Sequence, residues 1–456
     1  MIAGGWEIYG ELYGTTAMRE IFSARSRLRA MLDVEVALAR AQARLGVIPA
    51  EAADAIAAAA DVDRLDVPAI AARTDVVGYP VVPLTAQLAR LAGPDAGRYV
   101  HWGATTQDVL DTATVLQLGE ALAAIEAGVR GIVDALAPRA RTHRDDVMAG
   151  RTHLQHALPI TFGYACALWL HPLVAHLDRL RDVRERVRTV QFGGAVGTLA
   201  SLGTRGRDVA VALAEELKLR VPDAPWHADR SAFADVACAI ALLCGSLAKF
   251  ATDVALLTQT EVAEVFEPHE PGRGGSSAMP QKRNPIASEY VLAATRGVHA
   301  LVPVMLAAMA GDHQRSTGPW QSEEIALPQI CVLASAACAH ALQIAGGMTA
   351  DTARMRRNVD ASGGLIVAEA VATALAASLG QQRAHAAVER AASAALESHR
   401  AFADVLAETP EIAERYDRAA LAALLDPTRS IGEAGAVIDR VLARIPAHST
   451  RNEGSP

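Results

Sequence analysis

Three polar segments interrupt the long apolar stretches of this sequence, and each carries residue types that could bind and deprotonate an anionic substrate. The most distinctive one reads GRGGSSAMPQKRNP, from Gly272 to Pro285. Glycines and two serines followed by lysine and asparagine suit a mobile loop that brings a hydroxyl and a cation onto an anion. The GxxxxGK[ST] pattern is absent, so a phosphate-binding P-loop is excluded. A surface linker is a poor alternative, since Met279 and Pro280 would stiffen it for no evident reason.

The first polar segment, His101 to Asp108, reads HWGATTQD. Threonine before a helix is a good N-cap, so a plain helix start is one interpretation. Adjacent threonines with histidine and glutamine would also place donors at the positive end of a helix, where a carboxylate is stabilised. The segment alone leaves both interpretations open.

The second polar segment, Gly150 to His156, reads GRTHLQH and is predicted to stand immediately before an apolar helix. His153 and His156 are three residues apart and would lie on one helical face, which favours a role in proton transfer. A metal site is disfavoured, because no carboxylate stands at the spacing of an HExxH motif. We therefore predict no metal and no other cofactor.

Composition limits the class of protein. The chain has 456 residues, 51% of them apolar and 4% aromatic, and a net charge of −8. The absence of a basic run argues against nucleic acid as a partner. The most apolar stretch, residues 298–310, is shorter than the ~20 residues of a membrane span, and no secretory signal begins the chain. Five cysteines without a CxxC pair suggest buried free thiols. A cytoplasmic protein with no membrane partner is predicted.

The apolar periodicity predicts an all-α fold. Residues Ala17 to Leu45 are predicted as one amphipathic helix, and Pro49 starts a second. A seven-residue repeat from Val236 to Leu257 indicates a long bundle helix, and three further segments show the same apolar pattern. Three helical domains are predicted: 1–105, a central bundle at 106–345, and 346–456 with a disordered polar tail.

These segments, in this order, resemble the fumarase/aspartase superfamily. GSSAMPQKRNP, from Gly275 to Pro285, matches the superfamily pattern of GSS, one residue, MP, one residue, K, one residue, NP. The resemblance covers residues 15–445. It implies a homotetramer built on a core of about twenty helices, with active sites assembled from three subunits and no metal or organic cofactor. Small dicarboxylates are the implied substrates.

The resemblance also implies roles for individual residues. Ser276 matches the base that removes the proton, with His153 as acid/base partner and Glu289 as the carboxylate that orients the histidine. The hydroxyl of Ser276 can act as a base only if loop N–H groups and a cation such as Lys282 stabilise its alkoxide. The implied substrate-binding residues are His101, Thr105, Thr106, Arg151, Thr152, Gln155, Gln191, Arg230, Ser277, Met279, Lys282 and Asn284.

Further segments resemble bacterial 3-carboxy-cis,cis-muconate cycloisomerases within the superfamily: the HWGAT loop, LQHA at 154–157 and TGPW at 317–320. Those enzymes are expected to have tryptophan at the position of His153, whereas eliminating lyases keep histidine. Adenylosuccinate lyase is disfavoured, because Gln321 to Glu324 replaces the expected phosphate site and lacks its arginine. A homologue that has lost activity and persists as a structural protein is disfavoured too, because every catalytic position is filled.

Nitrosuccinate lyases resemble the combination of a cycloisomerase scaffold with this histidine. We therefore predict a carbon–nitrogen lyase that performs β-elimination on a substituted succinate, with nitrosuccinate giving fumarate and nitrite as the specific reaction. The alternative is a lactonising 3-carboxy-cis,cis-muconate cycloisomerase, which adds a carboxylate to a double bond.

Overall fold

The computed structural model describes residues 6–268, 274, 279 and 282–445, and it confirms the all-α prediction. The first ten helices of this part are α1 (Trp6–Tyr13), α2 (Thr16–Ile21), α3 (Ala24–Arg44), α4 (Ala50–Ala59), α5 (Val67–Val77), α6 (Val81–Ala92), α7 (Pro94–Gly97), α8 (Thr106–Thr142), α9 (Phe162–Val187) and α10 (Gly206–Leu217). The remaining helices are α11 (Ser231–Thr258), α12 (Ile286–Ala308), α13 (Pro319–Gly347), α14 (Thr352–Asp360), α15 (Ala368–Leu379), α16 (Gln381–Ser398), α17 (Phe402–Glu408), α18 (Pro410–Ala413), α19 (Arg418–Leu424) and α20 (Ala434–Ala443).

Four short strands form two antiparallel pairs within the described residues. β1 (Val147–Thr152) pairs with β2 (Gln155–Thr161), and β3 (Val265–Phe266) pairs with β4 (Thr349–Ala350). Single 3-10 turns lie at Val62–Arg64, Leu365–Val367 and Pro427–Arg429, and a longer one spans Ala200–Arg205.

The chain divides into two compact units, and each is discontinuous in sequence. The first comprises Met1–Val129, His176–Leu247 and Tyr290–Ala339, and the second comprises Arg130–Ala175, Ala248–Glu289 and His340–Pro456. The division into three contiguous domains at residues 105 and 345 stays a prediction. The predicted tail from Ser449 onward lies outside the described residues.

The long bundle helices follow from the apolar repeat. Every member of the seven-residue repeat in α11 is buried, as a helix that packs along one stripe requires. These members are Val236, Ile240, Leu243, Leu247, Phe250, Val254 and Leu257. Of the other three apolar-periodic segments, the one from Val109 to Leu136 lies within α8. Those from Ile160 to Val190 and from Ile286 to Met309 coincide with α9 and α12 to within three residues at each end, so the predicted bundle helices are confirmed.

The predicted helix from Ala17 to Leu45 is wrong in one respect, because it is two helices. α2 ends at Ile21, and the backbone of Ser23 is extended. The side chain of Ser23 accepts a hydrogen bond from the backbone N–H of Ser26. This N-cap starts α3. Gly78 and Gly93 end α5 and α6, each with φ of 86°, which glycine adopts without a steric penalty.

The expectation about apolar length needs correction. Within the described residues, three helices, α11, α12 and α13, are long and apolar enough to cross a membrane by length and composition alone. The predicted apolar stretch, residues 298–310, was too short because it began only after Arg296 and so covered the C-terminal half of α12 alone. The buried share of the apolar window is 50% in α11, 33% in α12 and 72% in α13.

Four of the five cysteines are buried, and all five are free thiols, as predicted. Burial raises the pKa of Cys166, Cys331 and Cys338 to about 12. Such thiols stay protonated and act as apolar packing groups.

Candidate active site

The first polar segment begins helix α8 and is held by a buried carboxylate. Asp108 Oδ2 accepts hydrogen bonds from the backbone N–H groups of Thr105 (2.9 Å) and Gly194 (2.9 Å). Its Oδ1 accepts from the N–H of Gly193 (2.9 Å) and lies 2.7 Å from Nε2 of His227. Asp108 therefore caps the helix and fixes the loop around residue 193 against the helix end.

A second buried carboxylate, Glu35 on α3, holds His101. Glu35 Oε1 lies 2.6 Å from the imidazole Nδ1, and Oε2 accepts from the His101 backbone N–H at 3.0 Å. Burial lowers the pKa of His101, but the charge and hydrogen bond of Glu35, with a smaller contribution from Asp108, raise it above its usual value. The ring Nε2 has no hydrogen-bond partner among the described residues. His101 is thus oriented and biased toward the imidazolium form, which suits an anionic substrate.

Removing the charge of Glu35 should lower the pKa of His101. In Glu35→Gln the amide keeps similar hydrogen-bonding geometry but no longer stabilises the imidazolium, so we expect its charge to be lost at lower pH. The pKa is raised in the wild type, so the charge is present below it and lost as pH rises through it. The measurement is the pH dependence of diethyl pyrocarbonate modification of His101, followed by peptide mass spectrometry. Glu51→Gln on α4 is the exposed control, and an unchanged His101 profile in Glu35→Gln would contradict the assignment.

Arg315 is a candidate site residue that the sequence analysis missed. Its Nη2 donates to Thr105 Oγ1 at 3.0 Å and to the carbonyl oxygen of Ala195 at 3.1 Å. Its Nε is buried and has no hydrogen-bond partner in the described part of the chain. Arg315 thus adds a cation at the threonine predicted to bind carboxylate. Arg315 lies in a segment without a recognisable motif. The one feature of the sequence that could have indicated it is its position shortly before Gly318 and Pro319, where α13 begins.

Gln191 is placed near the same elements. Its backbone N–H donates to Thr112 Oγ1 on α8 (3.0 Å), and its Oε1 accepts from the backbone N–H of Trp226 (2.9 Å). Nε2 of Gln191 is buried without a partner among the described residues. The side chain is fixed through Oε1, and the N–H groups of its Nε2 are unused, so a substrate contact by Gln191 stays a prediction.

Arg230 does not fit the predicted substrate contact. It is 2% exposed, and its guanidinium pairs with Asp111 through two hydrogen bonds (2.7 and 2.9 Å) and also with Glu323. Its guanidinium carbon lies 5.2 Å from the ring centre of Trp226 and 4.9 Å from that of Phe233. With both carboxylates and both rings engaged, Arg230 acts as a structural ion-pair centre, and we do not assign it to substrate.

The second polar segment is a β-hairpin, so the predicted helical face bearing His153 and His156 is wrong. His153 and Leu154 have φ of 50° and 64° and form the two-residue turn between β1 and β2, and His156 lies on β2 opposite Arg151. Two left-handed residues give the turn a twist that matches paired strands. His153, Thr152 and Gln155 are exposed at the hairpin tip. The predicted acid/base residue is thus displayed at a turn whose backbone is conformationally costly for non-glycine residues.

Arg151 anchors this hairpin, which does not fit its predicted contact with substrate. Its Nη1 and Nη2 donate to Glu264 Oε2 (2.9 Å) and Oε1 (2.8 Å), and Nδ2 of Asn358 donates to the same Oε1 at 2.7 Å. Glu264 is fully buried. Gly150 begins the irregular register of β1, where an added Cβ would lie 2.7 Å from the carbonyl oxygen of Leu158. The bidentate pair therefore fixes the strands that carry His153.

The third polar segment is described only in part. Ser276 and Ser277, the predicted base and its neighbour, lie outside the described residues. Lys282 is exposed, and the backbone N–H of Asn284 donates to the carbonyl of Gly274 at 3.0 Å. Met279 is 44% exposed.

Helix α12 follows this segment, and Glu267 caps its first turn. The carboxylate of Glu267 accepts from the N–H groups of Ala287 (2.9 Å) and Ser288 (2.7 Å). Glu289 is exposed in the first turn of α12, and no hydrogen bond joins it to His153 within this chain's described residues.

Two groups of predicted residues therefore emerge. In the first unit, Thr105, Thr106 and Gln191 lie on elements fixed by Asp108, with Arg315 beside Thr105. In the second unit, the hairpin displays His153 while Lys282 and Asn284 precede α12. Among the described residues, no group of three or more His, Cys, Asp or Glu side chains could hold a metal ion.

Comparisons with known proteins place the chain in a family. A family model described as Lyase matches residues 12–299, and one described as Adenylosuccinate lyase C-terminus matches residues 364–441. The chain belongs to this lyase family, the fumarase/aspartase superfamily, and is an enzyme of that superfamily.

Relatives narrow the comparison. The chain is 44% identical to the 3-carboxy-cis,cis-muconate cycloisomerase of Pseudomonas aeruginosa, over 96% of both chains. It is 37% identical to the N-acetyl-S-(2-succino)cysteine lyase of Dickeya dadantii, over 95% of this chain and 96% of the relative. The crystal structure of the 3-carboxy-cis,cis-muconate lactonizing enzyme from Pseudomonas putida superposes with a TM-score of 0.92 at 44% identity, covering 96% of this chain and 99% of that one.

These comparisons overturn the predicted reaction. The prediction of a carbon–nitrogen lyase acting on nitrosuccinate is wrong, and its stated alternative, the cycloisomerase, fits better. The error arose because one residue, His153, was weighed against a likeness that extends over nearly the whole chain.

Proposed function

We propose that this chain is a lactonising cycloisomerase that acts on 3-carboxy-cis,cis-muconate or a closely similar unsaturated tricarboxylate. The observation that carries the proposal is the 44% identity to 3-carboxy-cis,cis-muconate cycloisomerases over almost the full chain. The proposed reaction is the addition of a carboxylate to a double bond, which is the reverse type of the β-elimination that other members of the superfamily perform.

The reaction is internally balanced. One carboxylate oxygen of the substrate attacks an alkene carbon, a C–O bond forms, and the π electrons move onto the carbon beside another carboxylate. That carbon then takes a proton, so the product is an isomer and no atoms are lost. The charge that develops is an aci-carboxylate, and fixed donors aimed at it supply the main stabilisation. Ser276, the predicted base in elimination, is the proposed proton donor here.

Charge at the candidate site supports an anionic substrate with more than one carboxylate. Arg315 stands at Thr105, and Glu35 biases His101 toward its cationic form. The side chains of Lys282 and His153 are exposed in the second unit. We propose that these side chains, supplied by different subunits, share the substrate carboxylates. The further proposed contacts are Thr105, Thr106, Thr152, Gln155, Gln191, Ser277, Met279 and Asn284.

The direct test is conversion of purified protein with 3-carboxy-cis,cis-muconate. We expect the ultraviolet absorbance of the conjugated diene to fall with turnover and proton NMR to show a lactone, because ring closure breaks the conjugation. N-acetyl-S-(2-succino)cysteine and trans-aconitate serve as parallel substrates. Release of thiol from the succinocysteine without any loss of diene absorbance would contradict the proposal.

Arg315→Gln provides the matched variant for that assay. Loss of one charge-assisted contact is expected to raise KM about tenfold while the fold is kept. Arg29→Gln, an exposed arginine on α3, is the control and should leave KM unchanged. An identical rise in both variants would show a non-specific charge effect.

We also propose a cytoplasmic homotetramer in which His153 of one subunit reaches Glu289 and the loop residues of others. Large apolar side chains exposed on the long helices support self-association, because an isolated chain leaves them in water. They are Leu168, Leu242, Leu306 and Leu342. Light scattering should give four chains per particle, and a monomer with full activity would contradict shared active sites.

A further inference from the structure

A cavity of about 250 Å³ lies in the first unit, and none of its lining residues is among those predicted to contact substrate. The apolar part of its lining consists of three aromatic side chains, Phe22, Phe233 and Trp320, together with Leu327 and Pro328 of α13. The Trp320 ring stacks on Tyr79 at 5.7 Å between ring centres, which holds that wall in place. The cavity is therefore large and apolar enough for the body of a small organic molecule.

Arg27 of α3 brings a positive charge to the lining of this cavity. Its Nη1 donates to Thr114 Oγ1 (2.7 Å) and Gln117 Oε1 (3.0 Å), and the Gln117 amide donates in turn to the carbonyl of Ile21 (2.6 Å). Burial lowers the pKa of Arg27, while Glu324 and Asp111 act in the opposite direction. No carboxylate lies within ion-pair distance of Arg27 in the described chain, and its Nε and Nη2 have no acceptor there. The guanidinium is thus held through Nη1, and its Nε and Nη2 are available to an anionic group.

Glu324 supplies an unpaired negative charge to the same lining. It is partly exposed, and it has no hydrogen-bond or ion-pair partner among the residues described. Partial burial raises the pKa of Glu324, which the charge of Arg27 partly offsets. The two other acids of the lining, Asp111 and Glu323, are already paired with Arg230. One cation and one anion therefore line a common space without pairing to each other.

We propose that this cavity binds a small zwitterion with an apolar body, of the α-amino-acid type. The carboxylate meets Arg27, the ammonium meets Glu324, and the apolar body lies against Phe22 and Trp320. A di- or tricarboxylate is disfavoured, because the three acids of the lining outnumber its one arginine. The site would be distinct from the substrate site, and the inference does not depend on the proposed reaction.

Calorimetric titration of the purified full chain tests this site. The probes are L-phenylalanine, 3-phenylpropionate, which lacks the ammonium, and 2-phenylethylamine, which lacks the carboxylate. We expect L-phenylalanine to bind once per chain and about tenfold more tightly than either partial probe, because each charged contact adds affinity. Arg27→Gln and Glu324→Gln should each weaken L-phenylalanine binding by about tenfold.

Matched controls are Arg29→Gln on the same helix as Arg27 and Glu120→Gln on α8, both exposed positions that should leave binding unchanged. Glu324→Gln changes an exposed side chain, so it keeps the test decisive even if Arg27→Gln fails to fold. No binding heat with L-phenylalanine at millimolar concentration would overturn the proposal. Equal affinity for L-phenylalanine and 3-phenylpropionate would also overturn it, since a plain anion site needs no Glu324.

Discussion

Ser276→Ala is expected to reduce kcat with 3-carboxy-cis,cis-muconate by at least a hundredfold, which corresponds to roughly 2.7 kcal/mol of barrier. The reason is that alanine has no proton to give or take, and the remaining donors stabilise charge without moving the proton. Initial rates from the diene absorbance measure the effect. The variant should keep the wild-type particle mass and helical circular dichroism, because the change removes one oxygen from a glycine-rich segment of the sequence.

Ser277→Ala is the matched control for that experiment, since it makes the same change one residue along the chain. Ser277 is proposed to contact substrate without transferring the proton, so its loss should raise KM more than it lowers kcat. Retention of more than about a hundredth of the activity in Ser276→Ala would show that another group transfers the proton. A screen of the remaining titratable residues, beginning with His153, would then be needed.

Features that consecutive residues determine could be predicted from the sequence. The repeat in α11 predicts its own burial, because a stripe of seven-residue period can be read from consecutive residues. The N-cap at Ser23 was equally local, but it was missed because the apolar pattern continues across it from Ile21 and Phe22 to Leu28. The resemblance of the GSSAMPQKRNP motif identified the superfamily correctly, since that motif is long and specific.

Contacts between residues that are far apart along the chain could not be predicted from the sequence. Arg151 looked like a ligand for substrate because its partner, Glu264, is 113 residues away along the chain. The same reason explains why Glu35 was not connected with His101, at a separation of 66 residues. The hairpin escaped because its turn is His153-Leu154, whereas the pairs that usually announce such turns contain Asn or Gly. Arg151 was assigned to substrate because it stands in a polar segment, but Glu264 neutralises its charge inside the fold.

Arg230 is the clearest case of such neutralisation, and Arg230→Met is expected to destabilise the folded chain by roughly 3–5 kcal/mol. The substitution leaves Asp111 and Glu323, which are 2% and 4% exposed, as buried carboxylates without a counter-charge. Burial lowers the pKa of Arg230, but the two carboxylates raise it overall, so the guanidinium is charged throughout the accessible pH range. The midpoint of urea unfolding measures the loss.

A triple variant can show whether Arg230→Met loses stability through unpaired carboxylates or through lost side-chain packing. If the unpaired carboxylates are the cause, then adding Asp111→Asn and Glu323→Gln to Arg230→Met should recover much of the stability, because neutral amides cost far less to bury. Arg29→Met on the exposed surface of α3 is the control for changing arginine to methionine. Unfolding midpoints that fall equally in Arg230→Met and Arg29→Met would contradict a buried ion-pair centre. Such a result would return Arg230 to the set of residues free to meet a substrate carboxylate, and so the experiment decides which of the two roles its charge serves.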